Sequence, residues 1–325
     1  MILVTGSNGF IGSVLARQLN DLGHKDLIVS DMVNKLTRPE LMAKMQYAKE
    51  IHADQLIEFL SNDQNVDQLK VIFHMGACSS TTETDEAYLD RVNTNFTKQL
   101  FTIAQKRKIP FIYASSAAVY GDGNKGFDDR GSSKDYQPLN LYGWSKLKFD
   151  VWLEDQMDQL TAPVYGLRFF NVYGPNEYFK EAMASLVFKA FHQINETGRL
   201  KLFRSHREDY KDGEQLRDFV YVKDICRWMI ELYQNPQAPS GIYNMGYGQA
   251  RSWLDLAKAV FKAVDKSLDI DWIDIPESIR QQYQYFTEAN IEKLQSHGLS
   301  SPQWSLEDGV TDYLKNYLSK DDPIL

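Results

Sequence analysis

Apolar residues along this chain fall into short runs separated by longer stretches of mixed character. The runs are MILVT at 1–5, DLIVSD at 26–31, VIFHMGA at 71–77, PFIYASS at 110–116 and VYGLRFFNVYG at 164–174. Between them, 10–22, 86–107 and 141–160 carry apolar residues at helical spacing. A continuous apolar run is what a strand needs when both of its faces are covered, and strands alternating with helices predict an α/β fold. The expectation is a Rossmann-type doubly wound parallel sheet with helices on both faces. After Pro175 the rhythm changes. A helix is expected over 181–196, a charged, mobile loop over 204–218 and strands over 218–222, 241–246 and 269–275. Two helix-like stretches near 288–296 and 306–318 follow. The expected division is a dinucleotide domain over 1–171 with about 217–248, and a smaller C-terminal α/β lobe from about 172–216 and 249–325.

Composition narrows the function classes. The chain has 325 residues, 43% of them apolar and 25% charged, which suits a globular protein with a substantial core. A net charge of −8 argues against nucleic acid as the main partner, because a phosphate backbone needs a basic face. The two cysteines, Cys78 and Cys226, make no metal or disulfide framework and read as reduced thiols of a cytoplasmic protein. The six histidines are scattered without paired spacing, so no metal site is expected. No basic leader followed by an apolar stretch and no run long enough for a membrane span is seen.

TGSNGFIGS (5–13) places Gly6, Gly9 and Gly12 between the first strand and the first helix. Glycines there permit a tight turn, close approach of a pyrophosphate and close helix–strand packing, while the helix N-terminus offers free N–H groups. Asp31 ends the second strand, where an acid can bind ribose hydroxyls and favour NAD. Lys35 and Arg38 follow it and either neutralise a 2′-phosphate, favouring NADP, or belong to a solvated loop.

ASSAAVYG (114–121) closes the fourth strand, so Ser116 points toward the ligand crevice expected at the strands' carboxyl ends. Tyr142 and Lys146 follow one helical turn apart and share a face. A tyrosine titrates near 10, and an adjacent ammonium is expected to lower that value, making Tyr142 a proton-transfer group at neutral pH.

Together, TGSNGFIG, SSAAVYG, YGWSK and RFFNVYGP resemble the extended short-chain dehydrogenase/reductase family, which includes nucleotide-sugar epimerases and dehydratases. The narrower stretches HMGACSSTTE (74–83), RFFNVYGPNEYFKEAMAS (168–185), KLF (201–203), RDFVYVKD (217–224) and YQYFTEAN (283–290) resemble its ADP-heptose 6-epimerases. That resemblance implies inversion at C6 of an ADP-heptose, for the lipopolysaccharide inner core, by transient oxidation to a ketone with bound NADP, NAD remaining open. It also implies a homo-oligomer, a pentamer or decamer, acting on a small-molecule ADP-sugar. Tyr142 and Lys180 match the two catalytic bases, with Ser116 and Lys146 assisting. Without the resemblance Lys180 reads as a lysine on the substrate rim.

The cofactor-contacting positions carried over are Gly6, Gly9, Phe10, Ile11, Gly12, Asp31, Met32, Arg38, Met75, Gly76, Ala77, Cys78, Ser79, Asn93, Tyr142, Lys146, Val172 and Lys180. For substrate they are Ser116, Asn171, Ala182, Lys189, Phe203, Arg204, Ser205, Arg217 and Tyr283. An arginine suits a diphosphate through its planar fork, although Arg217 could instead pair with Asp218. This chain departs from the family pattern at Met32, Arg38, Met75 and Lys189, and its 204–216 loop is longer. Ala117 and Ala118 stand where dehydratases carry an acidic pair. The alternatives are an epimerase or dehydratase acting on a UDP- or dTDP-hexose, or a non-catalytic dinucleotide sensor.

Overall fold

A computed structural model of the chain describes residues 1–325 except Lys35, Pro236, Gln281 and Gln282. Seven strands form one sheet: β1 (Ile2–Thr5), β2 (Leu27–Asp31), β3 (Lys49–His52), β4 (Val71–His74), β5 (Phe111–Ser116), β6 (Val164–Phe169) and β7 (Gly241–Met245). Every pair is parallel and the spatial order is β7-β6-β5-β4-β1-β2-β3. The expected Rossmann-type sheet is therefore present.

The apolar runs are continuous because each strand feeds two layers. Ile2 and Val4 face a core built with α1 (Phe10–Asp21) and α6 (Val222–Gln234). Leu3 and Ile72 face the opposite core, closed by α2 (Ala53–Ser61), α3 (Phe96–Lys106) and α4 (Leu141–Glu154). Leu3, Val4, Ile72 and Phe73 are fully buried. At about 1.5–3 kcal/mol per buried side chain of this kind, the central strands anchor the molecule.

A separate core, that of the second lobe, joins α5 (Leu186–Thr197), α7 (Trp253–Ala263) and α8 (Leu306–Tyr313). It contains Leu200 and Leu202 from the strand Leu200–Phe203, which pairs in parallel with Ile270–Ile273. Asn171–Tyr173 pairs not with the main sheet but with Phe219–Tyr221. The long run at 164–174 is thus two strands that part at Phe170.

Five elements differ from the sequence expectation. Strand β3, KEIH, is half exposed at the sheet edge and carries no apolar run. Helix α6 begins directly after the β-rich DFVYV, which masks its start. Helix α7 opens with a capping box formed by Ser252 and Asp255. The helix expected over 181–196 begins only at Leu186, and the one near 288–296 shrinks to Glu292–Ser296. Cys78 and Cys226 are free thiols. Among the described residues no helix is long and apolar enough to cross a membrane, and no group of side chains could hold a metal ion.

Candidate active site

The sheet order reverses between β1 and β4, and a crevice at such a switch point is where α/β proteins bind ligands. The two strand ends are locked together there. Thr5 Oγ1 accepts the Gly76 N–H at 3.1 Å and lies 2.7 Å from His74 Nδ1. His74 is buried, and burial lowers its imidazole to about 3, so it is neutral.

The turn after β1 admits only glycine at two places. Gly6 has φ +66°, and a Cβ there would sit 2.6 Å from Gly76 N. A Cβ on Gly12 would stand 2.1 Å from Gly6 O. Gly9 precedes α1, and no side chain caps that helix's first N–H groups. A glycine cradle at the switch point, closed to any side chain and facing uncapped amides, fits a dinucleotide pyrophosphate. Phe10 is buried and Ile11 half-buried behind it, and Val172 packs on the same core.

Asp31 closes β2 with both oxygens engaged, accepting Asn8 N–H at 2.9 Å and Val33 N–H at 3.0 Å. Burial raises its carboxyl above the ordinary value, partly offset by these amides and by Arg38. Arg38 Nη1 donates to Asn8 O at 2.6 Å and its guanidinium lies 4.8 Å from the Phe179 ring centre. Met32 is exposed beside it. Lys35 lies outside the described residues.

After β4, Met75, Gly76, Ala77, Cys78 and Ser79 form the facing wall, with Ala77 and Ser79 exposed. Asn93 holds this wall. Its Oδ1 accepts Cys78 N–H at 2.9 Å and its Nδ2 donates to Cys78 O and Ser145 Oγ, each at 2.9 Å.

Ser116 ends β5, its Oγ accepting Ala118 N–H at 3.1 Å. Asn140 caps α4 through Gly143 N–H at 2.8 Å, which puts Tyr142 in the first turn and Lys146 in the second. The expected charge coupling differs from what the structure shows. Burial raises the Tyr142 phenol above its ordinary value, and a hydrogen bond with Ser116 pulls it only part of the way back. Lys146 Nζ donates instead to Ala114 O at 2.9 Å. Burial lowers that ammonium to about 8, against the pull of Asp150. The site thus holds a high-pKa phenol beside a low-pKa amine.

Lys180 reaches this crevice from the segment after β6. Its Nζ lies 5.5 Å from the centre of the Phe10 ring, at the very start of α1. Burial lowers its ammonium below the ordinary lysine value, Glu177 opposing that shift and Lys189 adding to it. Lys189 Nζ donates to Ala182 O at 2.6 Å. Asn171 is exposed at the same rim.

The remaining predicted positions gather at a second patch. Arg217 is buried, yet among the described residues no carboxylate pairs with it. Nη1 donates to Leu216 O at 2.8 Å and Nη2 to Gln284 O, while the guanidinium lies over Tyr283 (5.3 Å) and Trp253 (5.7 Å). Asp218, the alternative partner, turns away to accept N–H groups of Tyr247, Gly248 and Ala289. Phe203 packs edge-on against Tyr283 at 6.1 Å. Arg204 lies near Asp212 and Asp274, at 3.9 and 3.6 Å, and Ser205 N–H donates to Asp212 at 2.8 Å, which ties the 204–216 loop to itself. Trp253, which donates to Tyr283 Oη at 3.1 Å, was not expected from the sequence. Its partners lie tens of residues away, so no local pattern could reveal it.

The fold is that of a dinucleotide-binding α/β protein, with Ser116, Tyr142 and Lys146 near the carboxyl ends of its strands. Over residues 2–246 the chain matches the NAD dependent epimerase/dehydratase family, and it belongs to that family. It is 46% identical, over the whole of both chains, to the ADP-L-glycero-D-manno-heptose-6-epimerase of Fusobacterium nucleatum. It is 42% identical, again over both full lengths, to the enzyme of that name from Nitratidesulfovibrio vulgaris. The crystal structure of the Helicobacter pylori ADP-L-glycero-D-manno-heptose-6-epimerase superposes with a TM-score of 0.79 at 30% identity, covering 97% of this chain and 95% of that one.

Proposed function

We propose that this chain interconverts ADP-D-glycero-D-manno-heptose and ADP-L-glycero-D-manno-heptose by inverting C6, a step toward the lipopolysaccharide inner core. The observation that carries the reading is Lys180: an amine from a distant segment, its pKa lowered by burial, is delivered to the Phe10 ring at the dinucleotide cradle. Together with Tyr142 it gives the crevice two proton-transfer groups, one for each epimer. Gly6, Gly9, Gly12 and the α1 N-terminus would hold the pyrophosphate, and Asp31 the adenosine ribose. A nicotinamide held there would supply the hydride acceptor and donor that inversion at C6 requires.

The chain's own groups do the rest. Ser116 fixes the C6 oxygen, and Tyr142 or Lys180 takes or supplies its proton. Lys146, anchored on Ala114 O, orients the nicotinamide ribose beside Tyr142. Arg217, buried and with no carboxylate partner among the described residues, is suited to pair with the substrate diphosphate. Phe203 and Tyr283 offer rings for the adenine.

For the cofactor we read NADP, with NAD as the alternative, because Arg38 stands beside Asp31 with donors left to meet a 2′-phosphate. A homo-oligomer is the assembly we expect, to be read by light scattering after size exclusion.

The test is incubation of the purified protein with ADP-D-glycero-D-manno-heptose, followed by proton NMR. Inversion at C6 is expected. Tyr142→Phe and Lys180→Met should each slow it by about 100-fold or more. No inversion with NADP⁺ or NAD⁺ supplied would overturn the assignment.

A further inference from the structure

The segment that delivers Lys180 carries an unusual conformational load. Asn176 and Glu181 are not glycines, yet they have φ +72° and +46°. Such backbone persists only where its surroundings over-determine it. One restraint is a single buried side chain. Glu177 is 1% exposed, and its Oε1 accepts Gly174 N–H at 3.2 Å and the Ser185 hydroxyl at 2.7 Å. Its Oε2 accepts Ser185 N–H at 2.6 Å. One carboxylate thereby joins both ends of the segment 174–185 into a closed loop, with Lys180 between them. The Glu177 carbonyl also accepts the Lys180 N–H at 3.0 Å. Ser185 in turn caps α5 through Phe188 N–H at 3.2 Å.

We infer that Glu177 is a positioning residue for Lys180, closing the loop that carries it and setting a carboxylate near its ammonium. The inference rests on the role given to Lys180 above. The charged and titratable groups that face Lys180 are Glu177 and, from α5, Lys189. Those that face Glu177 are Lys180, Tyr178 and, from α8, Tyr313. A glutamine at 177 keeps the shape. It removes the charge and turns one acceptor into a donor opposite a donor, so it acts on both parts of the proposed role.

The experiment follows Lys180 directly as well as through turnover. Acylation of Lys180 by acetic anhydride is measured against pH by peptide mass spectrometry in the wild type, Glu177→Gln and Glu177→Asp. Loss of the nearby charge should move the Lys180 titration in Glu177→Gln down by about half a unit or more. In the same variant kcat for heptose inversion should fall about tenfold or more, with KM within about threefold. Glu177→Asp keeps the charge on a shorter stem, so it should leave the titration in place while still lowering kcat. An unmoved titration in Glu177→Gln overturns the inference, as does wild-type kcat in either variant. Should Glu177→Gln not fold, the aspartate variant decides by the same two readings. A wild type without heptose inversion would sink the functional reading alone, since the labelling reports on Glu177 regardless.

Discussion

Lys146 shows how function and stability oppose each other at one residue. It is 6% exposed, its nearest acceptor is a carbonyl, and burial lowers its ammonium from 10.5 to about 8. Between those two values the native state binds fewer protons than the unfolded chain, so stability rises with pH through that window. Below pH 8 the full cost of burying the charge is present. Lys146→Met should therefore slow inversion by about 100-fold or more. It should also raise Tm at pH 7 by about 1–3 °C. The gain should shrink as pH climbs from 8 toward 10.5, as scanning calorimetry across pH would show. A lower Tm at pH 7 would refute the argument. Arg38 gives a second residue-scale prediction. If its guanidinium meets a 2′-phosphate, Arg38→Ala should weaken NADP about tenfold and NAD hardly at all in a fluorescence titration. Equal loss for both would return Arg38 to a structural role against Phe179.

At the scale of elements, α4 carries two of the groups proposed for catalysis, Tyr142 and Lys146, and its start is set by Asn140. The Asn140 side chain accepts Gly143 N–H, so Asn140→Ala should cost about 1 kcal/mol of stability by urea titration. Because Tyr142 sits in the frayed turn, kcat should drop further than this loss explains; unchanged kcat would show that packing alone places the phenol. Most of this level is legible in the sequence. The glycine spacing, the apolar runs and the Tyr–Lys turn are local patterns, and each local pattern has a local physical cause. What is not legible depends on contacts far apart in the chain. Strand β3 is chosen by its place beside β2 rather than by its own polar residues. Lys180 reaches the crevice only because residues 174–185 fold back over Phe10. The tyrosine–lysine coupling is not legible for a related reason: adjacency on a helix face says nothing of burial, and burial dominates both groups.

At the scale of the whole molecule, the two cores share strands. In Asn171–Tyr173 and Phe219–Tyr221, alternate side chains point opposite ways, as a two-residue period requires. Val172 and Val220 enter the core beneath the main sheet, while Tyr173, Phe219 and Tyr221 enter that of the second lobe. Neither core can lose its order without disturbing the ladder that serves the other. The buried network around Asp150 and Arg168 ties the main sheet to α4 and so stiffens the main-sheet side of the molecule. Asp150 on α4 accepts from Tyr113 Oη, Ser115 Oγ and Arg168 Nε, and Arg168 donates onward to Tyr120 and Ser133. Tyr120 then donates to Asn244 on β7. Removing one partner strands a buried charge, so Asp150→Ala should cost about 3–5 kcal/mol in urea unfolding. Calorimetry of the wild type should show one endotherm, with calorimetric and van't Hoff enthalpies in agreement. The Asp150→Ala endotherm should move down as a single peak. If it split, with a second-lobe transition left in place, the shared ladder would be too weak to couple the cores, and the crevice between them would open independently of the sheet.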